Sequence, residues 1–167
     1  MQPLVIDVEA SGFGVGSYPI EVGVAMPDGK VRCMIVCPEP EWQHWDEKAQ
    51  ALHGITRDIL LEHGSPVRVV AEQLNAWLVG ETVYSDAWGN DSSWLALLFD
   101  AAGIPQRFKL ESLRALLSDL QVSRWHEIKE KVAGEIDCQR HRASHDARII
   151  QQTYEQTAEL ARLSGKR

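Results

Sequence analysis

Cysteine is scarce: the 167 residues hold three, Cys33, Cys37 and Cys138. Cys33 and Cys37 lie in a segment that reads as a strand, roughly 13 Å between Cα atoms, beyond disulfide reach. No Cys-x-x-Cys pair occurs. A disulfide scaffold and a structural zinc site are thereby excluded, and the thiols are expected to be reduced and partly buried. Long apolar runs are missing too, since stretches such as Trp94 to Phe99 fall far short of the ~20 residues that span a bilayer. Met1-Gln2-Pro3 carries no positive cluster, and Asp7 and Glu9 interrupt any signal-peptide core. The expected location is cytoplasmic. Repeats, linkers and low-complexity segments are also absent, which implies one domain over 1–167 with a frayed end at 164–167. Positive charge is in deficit, 17 Lys+Arg against 24 Asp+Glu for a net charge of −7. A protein that grips duplex DNA along its phosphates usually has a basic surface. Either nucleic acid is not the partner, or its contact is small, or bound cations cancel acids there.

What is present is ordinary globular material, 44% hydrophobic and 25% charged. Leu4-Val5-Ile6 begins a buried strand that stops at the turn-rich Ser11-Gly12-Phe13-Gly14-Val15-Gly16-Ser17. Ile20 to Met26 and Val31 to Cys37 read as two further strands, joined by a turn at Pro27-Asp28-Gly29-Lys30. The period then changes. Asp46 to Leu52 is expected to be helical, Thr56 to cap a second helix, and Ser65-Pro66 to open a third with Ser65 as cap. Thr82 to Ser85 reads as a strand, Asp91 to Ala102 as a helix and Phe108 to Leu110 as a short fifth strand. Leu113 to Leu120, Arg124 to Val132 and Ala143 to Leu163 read as helices. The fold class is α/β.

Asp7 and Glu9 sit two apart on the first strand, so their side chains share a face. That face is at a strand end beside a glycine-rich loop, where α/β folds place ligands. Two carboxylates there repel unless a positive group joins them, and a hard divalent cation, Mg²⁺ or Mn²⁺, suits oxygen ligands. Asp-x-Glu alone is weak, arising by chance in roughly half of chains this size; Gly12 five residues after Asp7 lowers that to roughly a few per cent. Two further acids compete downstream: Asp91 at the start of a helix, and Asp86 at the end of the preceding strand. His141-Arg142-Ala143-Ser144-His145-Asp146 adds another acid and two imidazoles at the start of the last helix.

Taken in order, Asp7-Val8-Glu9-Ala10-Ser11-Gly12, Asp91-Ser92-Ser93-Trp94-Leu95 and His141-Arg142-Ala143-Ser144-His145-Asp146 resemble the DEDDh family of 3′–5′ exonucleases. His53-Gly54-Ile55-Thr56 is similar to a segment of the proofreading subunits of bacterial replicative polymerases. The resemblance implies a ribonuclease-H-like three-layer fold, a mixed five-stranded sheet flanked by helices. It also implies two divalent metal ions, with Asp7 bridging both, Glu9 and Asp146 completing the first, and Asp91 holding the second. Asp91 is preferred to Asp86 because Trp94-Leu95 follows at the expected offset. Two ions ~4 Å apart can hold the attacking water and stabilise the leaving 3′ oxygen. His141 would be the general base, register favouring it over His145. The dications would offset the acidic balance.

The same resemblance implies a single-stranded DNA or RNA 3′ end as substrate, released as nucleoside 5′-monophosphates. Ser11, Gly12 and Phe13 would lie against the terminal nucleotide, Phe13 either stacking on its base or packing in the loop. His53 would contact the same nucleotide. Trp88 offers a stacking surface or core packing, and Arg142 a phosphate contact or an ion pair. An oligoribonuclease-like enzyme for very short RNAs and a non-catalytic binding module on the same fold are the alternatives. No membrane is implied; a homodimer or a polymerase partner stays open.

Overall fold

The computed structural model describes residues 2–136 and 140–164; Cys138 and residues 165–167 lie outside them. Three strands open the chain: β1 (Val5–Ala10), β2 (Pro19–Ala25) and β3 (Val31–Ile35). Three helices follow, α1 (Glu47–His53), α2 (Arg57–His63) and α3 (Val67–Leu78). Then come β4 (Thr82–Ser85), α4 (Trp88–Ala102), β5 (Lys109–Ser112), a 3₁₀ turn (Leu113–Leu116), α5 (Asp119–Glu135) and α6 (Ala143–Ser164). The sheet order is β3-β2-β1-β4-β5. β1–β2 and β2–β3 are antiparallel, whereas β1–β4 and β4–β5 are parallel. This is the mixed five-stranded sheet that the resemblance implies.

Alternation along β1 and β2 decides what each face meets. Ile6, Val8, Ile20, Val22 and Val24 pack with Val70, Leu74 and Leu78 of α3 and Leu95 and Leu98 of α4. Val5 and Ala25 face the other way, against Ala147 and Ile150 of α6. Asp7 and Glu9 share the Val5 face by period two, so they look toward the start of α6. Opposite Asp7 in the ladder stands Gly23. A Cβ built there would lie 2.2 Å from backbone atoms of Ala143 and Ser144. Only glycine lets α6 come that close to the sheet.

Most elements form where expected, with informative exceptions. Helix α4 starts at Trp88, three residues before the expected Asp91, with no side-chain cap. Ser65 does not cap α3; its backbone bridges to the strand edge, donating to Ile35 O at 2.9 Å and accepting from Cys37 N–H at 2.8 Å. Instead of helices at 113–120 and 124–132, a 3₁₀ turn is followed by one long α5. Ser118 and Gln121 form a reciprocal capping box that starts α5 early. β5 begins one residue late and ends two late. Cys33 is exposed on edge strand β3 rather than partly buried, while Cys37 is half-buried; both are free thiols. Among the described residues, no helix is long and apolar enough to cross a membrane.

Candidate active site

A cleft of about 270 Å³ opens beside β1 and the start of α4. Asp7, Glu9, Asp91, His141 and Asp146 all line it, with Gly12, Phe13, His53 and Trp94. Four acids from three distant segments therefore converge with two imidazoles, His141 and His53. Asp91, in the first turn of α4, is 1% exposed. It accepts a hydrogen bond from Ser85 Oγ at 2.5 Å, which aims its carboxylate back toward β1. Asp86, its competitor in the sequence, turns away and pairs with Lys129 Nζ at 2.6 Å. Asp86 does not line the cleft.

The start of α6 supplies the other half. His141 lies two residues before Ala143 with φ +59°, the only non-glycine residue with positive φ among those described. Histidine tolerates that left-handed conformation better than most residues. The turn is held by Asp146, whose Oδ2 accepts from the His141 backbone N–H at 3.0 Å. Donor atoms of Glu9, His141 and Asp146 lie within 4.8 Å of one another. His145 is not among the cleft-lining residues.

Glu21 is the anchor that sequence reasoning missed. It faces Glu9 in the β1–β2 register and is fully buried. Arg142 grips it with both ends of the guanidinium, Nη2 to Oε1 at 2.7 Å and Nε to Oε2 at 3.1 Å. The Ala143 N–H adds a third partner at 2.9 Å. A charge within an otherwise apolar strand, Pro19-Ile20-Glu21-Val22-Gly23-Val24-Ala25, was the available signal. Such bidentate pairs fix geometry more than they add stability. Here the pair docks the segment that carries His141. Of the two roles open to Arg142, the structure takes the ion pair.

Burial and mutual repulsion raise the carboxyls of the cluster. The Asp7 carboxyl is raised well above its ordinary value, first by burial, then by the charges of Asp91, Glu9 and Asp146. Glu9 rises to about 7, from burial and then Asp146. Asp91 also rises to about 7, mainly from burial, against the pull of the Ser85 hydrogen bond. Burial raises Asp146 as well, with His141 opposing. The four carboxylates make a hard, oxygen-rich donor set that fits a divalent cation such as Mg²⁺ or Mn²⁺.

The expected substrate contacts divide. Phe13 is 70% exposed at the cleft edge, its ring 6.0 Å from that of Trp94. Gly12 has φ +151°, and a Cβ there would lie 2.7 Å from that of Asp46, so the loop needs glycine. Ser11 is enclosed instead: its hydroxyl accepts from Tyr18 N–H at 3.1 Å and bonds His44 Nδ1 at 2.9 Å, so it does not reach the cleft. Trp88 is neither core nor cleft wall; it is half-exposed, with Nε1 donating to Leu110 O at 3.3 Å. His53 is 2% exposed and its Nδ1 accepts from Ile55 N–H at 3.0 Å. Its Nε2 is buried without a partner.

Residues 4–154 match the family described as RNase_T: Exonuclease. The chain belongs to this exonuclease family. No curated protein matches it in sequence. Among solved structures, this chain is similar to the zinc-bound form of an E. coli exonuclease I complex with single-stranded DNA, with a TM-score of 0.67 at 14% identity. That likeness covers 93% of this chain and 39% of the other. A product-bound exonuclease I gives 0.64 at 11% identity, covering 93% and 44%. Exonuclease I from Methylocaldum szegediense gives 0.58 at 13%, covering 74% and 29%. The chain thus spans less than half of each. At these identities the likeness establishes the ribonuclease-H-like fold.

Proposed function

We propose that this exonuclease removes nucleoside 5′-monophosphates from single-stranded 3′ ends, with two divalent ions and His141 as general base. The observation that carries the reading is the convergence of Asp7, Glu9, Asp91, Asp146 and His141 in one cleft. Asp7, central to the four acids, would share both ions; Glu9 and Asp146 would hold one and Asp91 the other. Held there, divalent ions would supply Lewis-acid activation of the water and charge stabilisation at the leaving 3′ oxygen. The chain's own residues do the rest.

His141 takes the water proton on its ring, held over the cleft by the backbone hydrogen bond to Asp146. Because His53 accepts at Nδ1, its Nε2 carries the proton and is a buried donor without a protein partner on a residue that lines the cleft. Burial is the first cause that lowers its pKa, which keeps the ring neutral. A terminal sugar hydroxyl or base oxygen is a fitting acceptor. Phe13 gives the base an exposed ring, a contact worth ~1–3 kcal/mol per base in single-strand binders.

Polarity tests the reading. A 3′-phosphate on an otherwise good oligomer should block degradation, while a 5′ block leaves it unchanged. Efficient cutting of closed single-stranded circles would show an endonuclease instead.

A further inference from the structure

The catalytic cleft has a neighbour. A second groove of about 280 Å³ lies between the end of β5, the 3₁₀ turn and α5, lined by Asp86, Leu113, Arg114, Leu117, Trp125 and His126. Ala87 lines the first cavity and Asp86, the residue before it, lines the second. Consecutive residues thus line the two cavities, and Asp86 pairs with Lys129, the side chains 21% and 25% exposed. Lys129 stands one helical turn after Trp125 on the same face of α5.

Resting on the function proposed above, we infer that this second groove binds the strand upstream of the scissile bond, with a base against Trp125. Three features favour a single-stranded polynucleotide. Consecutive residues, Ala87 and Asp86, line the cleft and the groove. Its floor is apolar with one large ring, half-buried against the core that includes Leu113, and every base has a π-face to stack. Its charge is complementary to phosphate: Lys129 neutralises Asp86, leaving the Arg114 guanidinium beside the groove. Arg114 spends one end on Leu117 O at 3.1 Å, and its other contact, Asp119 at 3.8 Å, is fully exposed. That end can turn to a phosphate at little cost.

The experiment follows cleavage of 5′-labelled oligomers from two to eight nucleotides, with anisotropy of the same oligomers in Ca²⁺ as a binding readout. Wild type should gain in kcat/KM beyond the dinucleotide. Trp125→Leu should cancel roughly tenfold of that gain, the usual worth of one stacked base, and leave dinucleotide cleavage within about twofold. Arg114→Gln, an exposed change that spares the fold, should weaken binding of the longer oligomers and flatten its salt dependence. A length gain that survives in both folded variants, or affinities that do not change, overturns the groove. The same holds if a non-nucleic partner is lost in the variants while oligomer affinity stays constant. If wild type cleaves no oligomer of any length, the exonuclease reading itself fails, a result distinct from loss of the length gain alone.

Discussion

At pH 8 in chelator, Glu9→Gln should be more stable than the wild type. The cause is the rise of the Glu9 carboxyl from 4.5 to about 7, first by burial and then by Asp146. Its folded pKa lies above its unfolded value, so between about 4.5 and 7 the native state holds the proton more tightly. Stability from this group is present in full below about 4.5 and is lost as pH rises through about 7. At about 1.4 kcal/mol per pKa unit the rise corresponds to about 3 kcal/mol. Glu9 is only partly buried, so solvent screening takes a share and about 1–3 kcal/mol is expected. For a chain of this size that is about 2–10 °C in Tm. Glutamine keeps the shape and removes the titration. Thermal unfolding followed by circular dichroism should therefore show the variant ahead at pH 8 and nearly level at about pH 4, below the unfolded pKa. Adding Mg²⁺ at pH 8 should raise the wild type more than the variant, because an ion that binds only the native state stabilises it. A variant that melts at or below the wild type at pH 8 in chelator would refute the account of the acidic cluster.

Three further outcomes follow from particular contacts. His141→Ala should lower kcat by roughly 10²–10⁴, the usual worth of a general base, with Mn²⁺ affinity by calorimetry little changed, while His145→Ala costs little; exchanged effects would make His145 the base. Asp91→Asn should abolish turnover, whereas Asp86→Asn should keep dinucleotide cleavage within a few-fold, since Asp86 faces Lys129 outside the cleft. Gly23→Ala should destabilise by about 1–3 kcal/mol or more in denaturant titration, as overpacking does, and lower activity by displacing the start of α6; Gly89→Ala, with open space around it, should be neutral or stabilising.

The four acids were legible because each lay in a local signal: two carboxylates at period two, one after a strand, one after a histidine at fixed offset. Position in the chain also separated His141 from His145. Docking of these segments was not legible. Gly23 looked like any strand glycine until the register put it under Ala143, and the Glu21–Arg142 pair joins residues far apart in sequence. The early start of α4 was hidden because Gly89 and Asn90 are poor helix formers, a local preference that packing overrides. Ser65-Pro66 carried a cap signature, yet its backbone serves the sheet edge instead. Ser11 matched its motif in sequence, while its hydroxyl belongs to Tyr18 and His44. A motif fixes residue types; it does not say which atoms face the cleft.

The most direct measurement of the central claim is product analysis on a 5′-labelled single-stranded oligomer. Wild type and Asp7→Asn would be compared in Mg²⁺, in Mn²⁺ and in excess chelator. The account predicts a ladder shortening from the 3′ end, release of nucleoside 5′-monophosphates, and no product from Asp7→Asn or from wild type in chelator. Undiminished shortening in chelator, or near-normal turnover by Asp7→Asn, would contradict it.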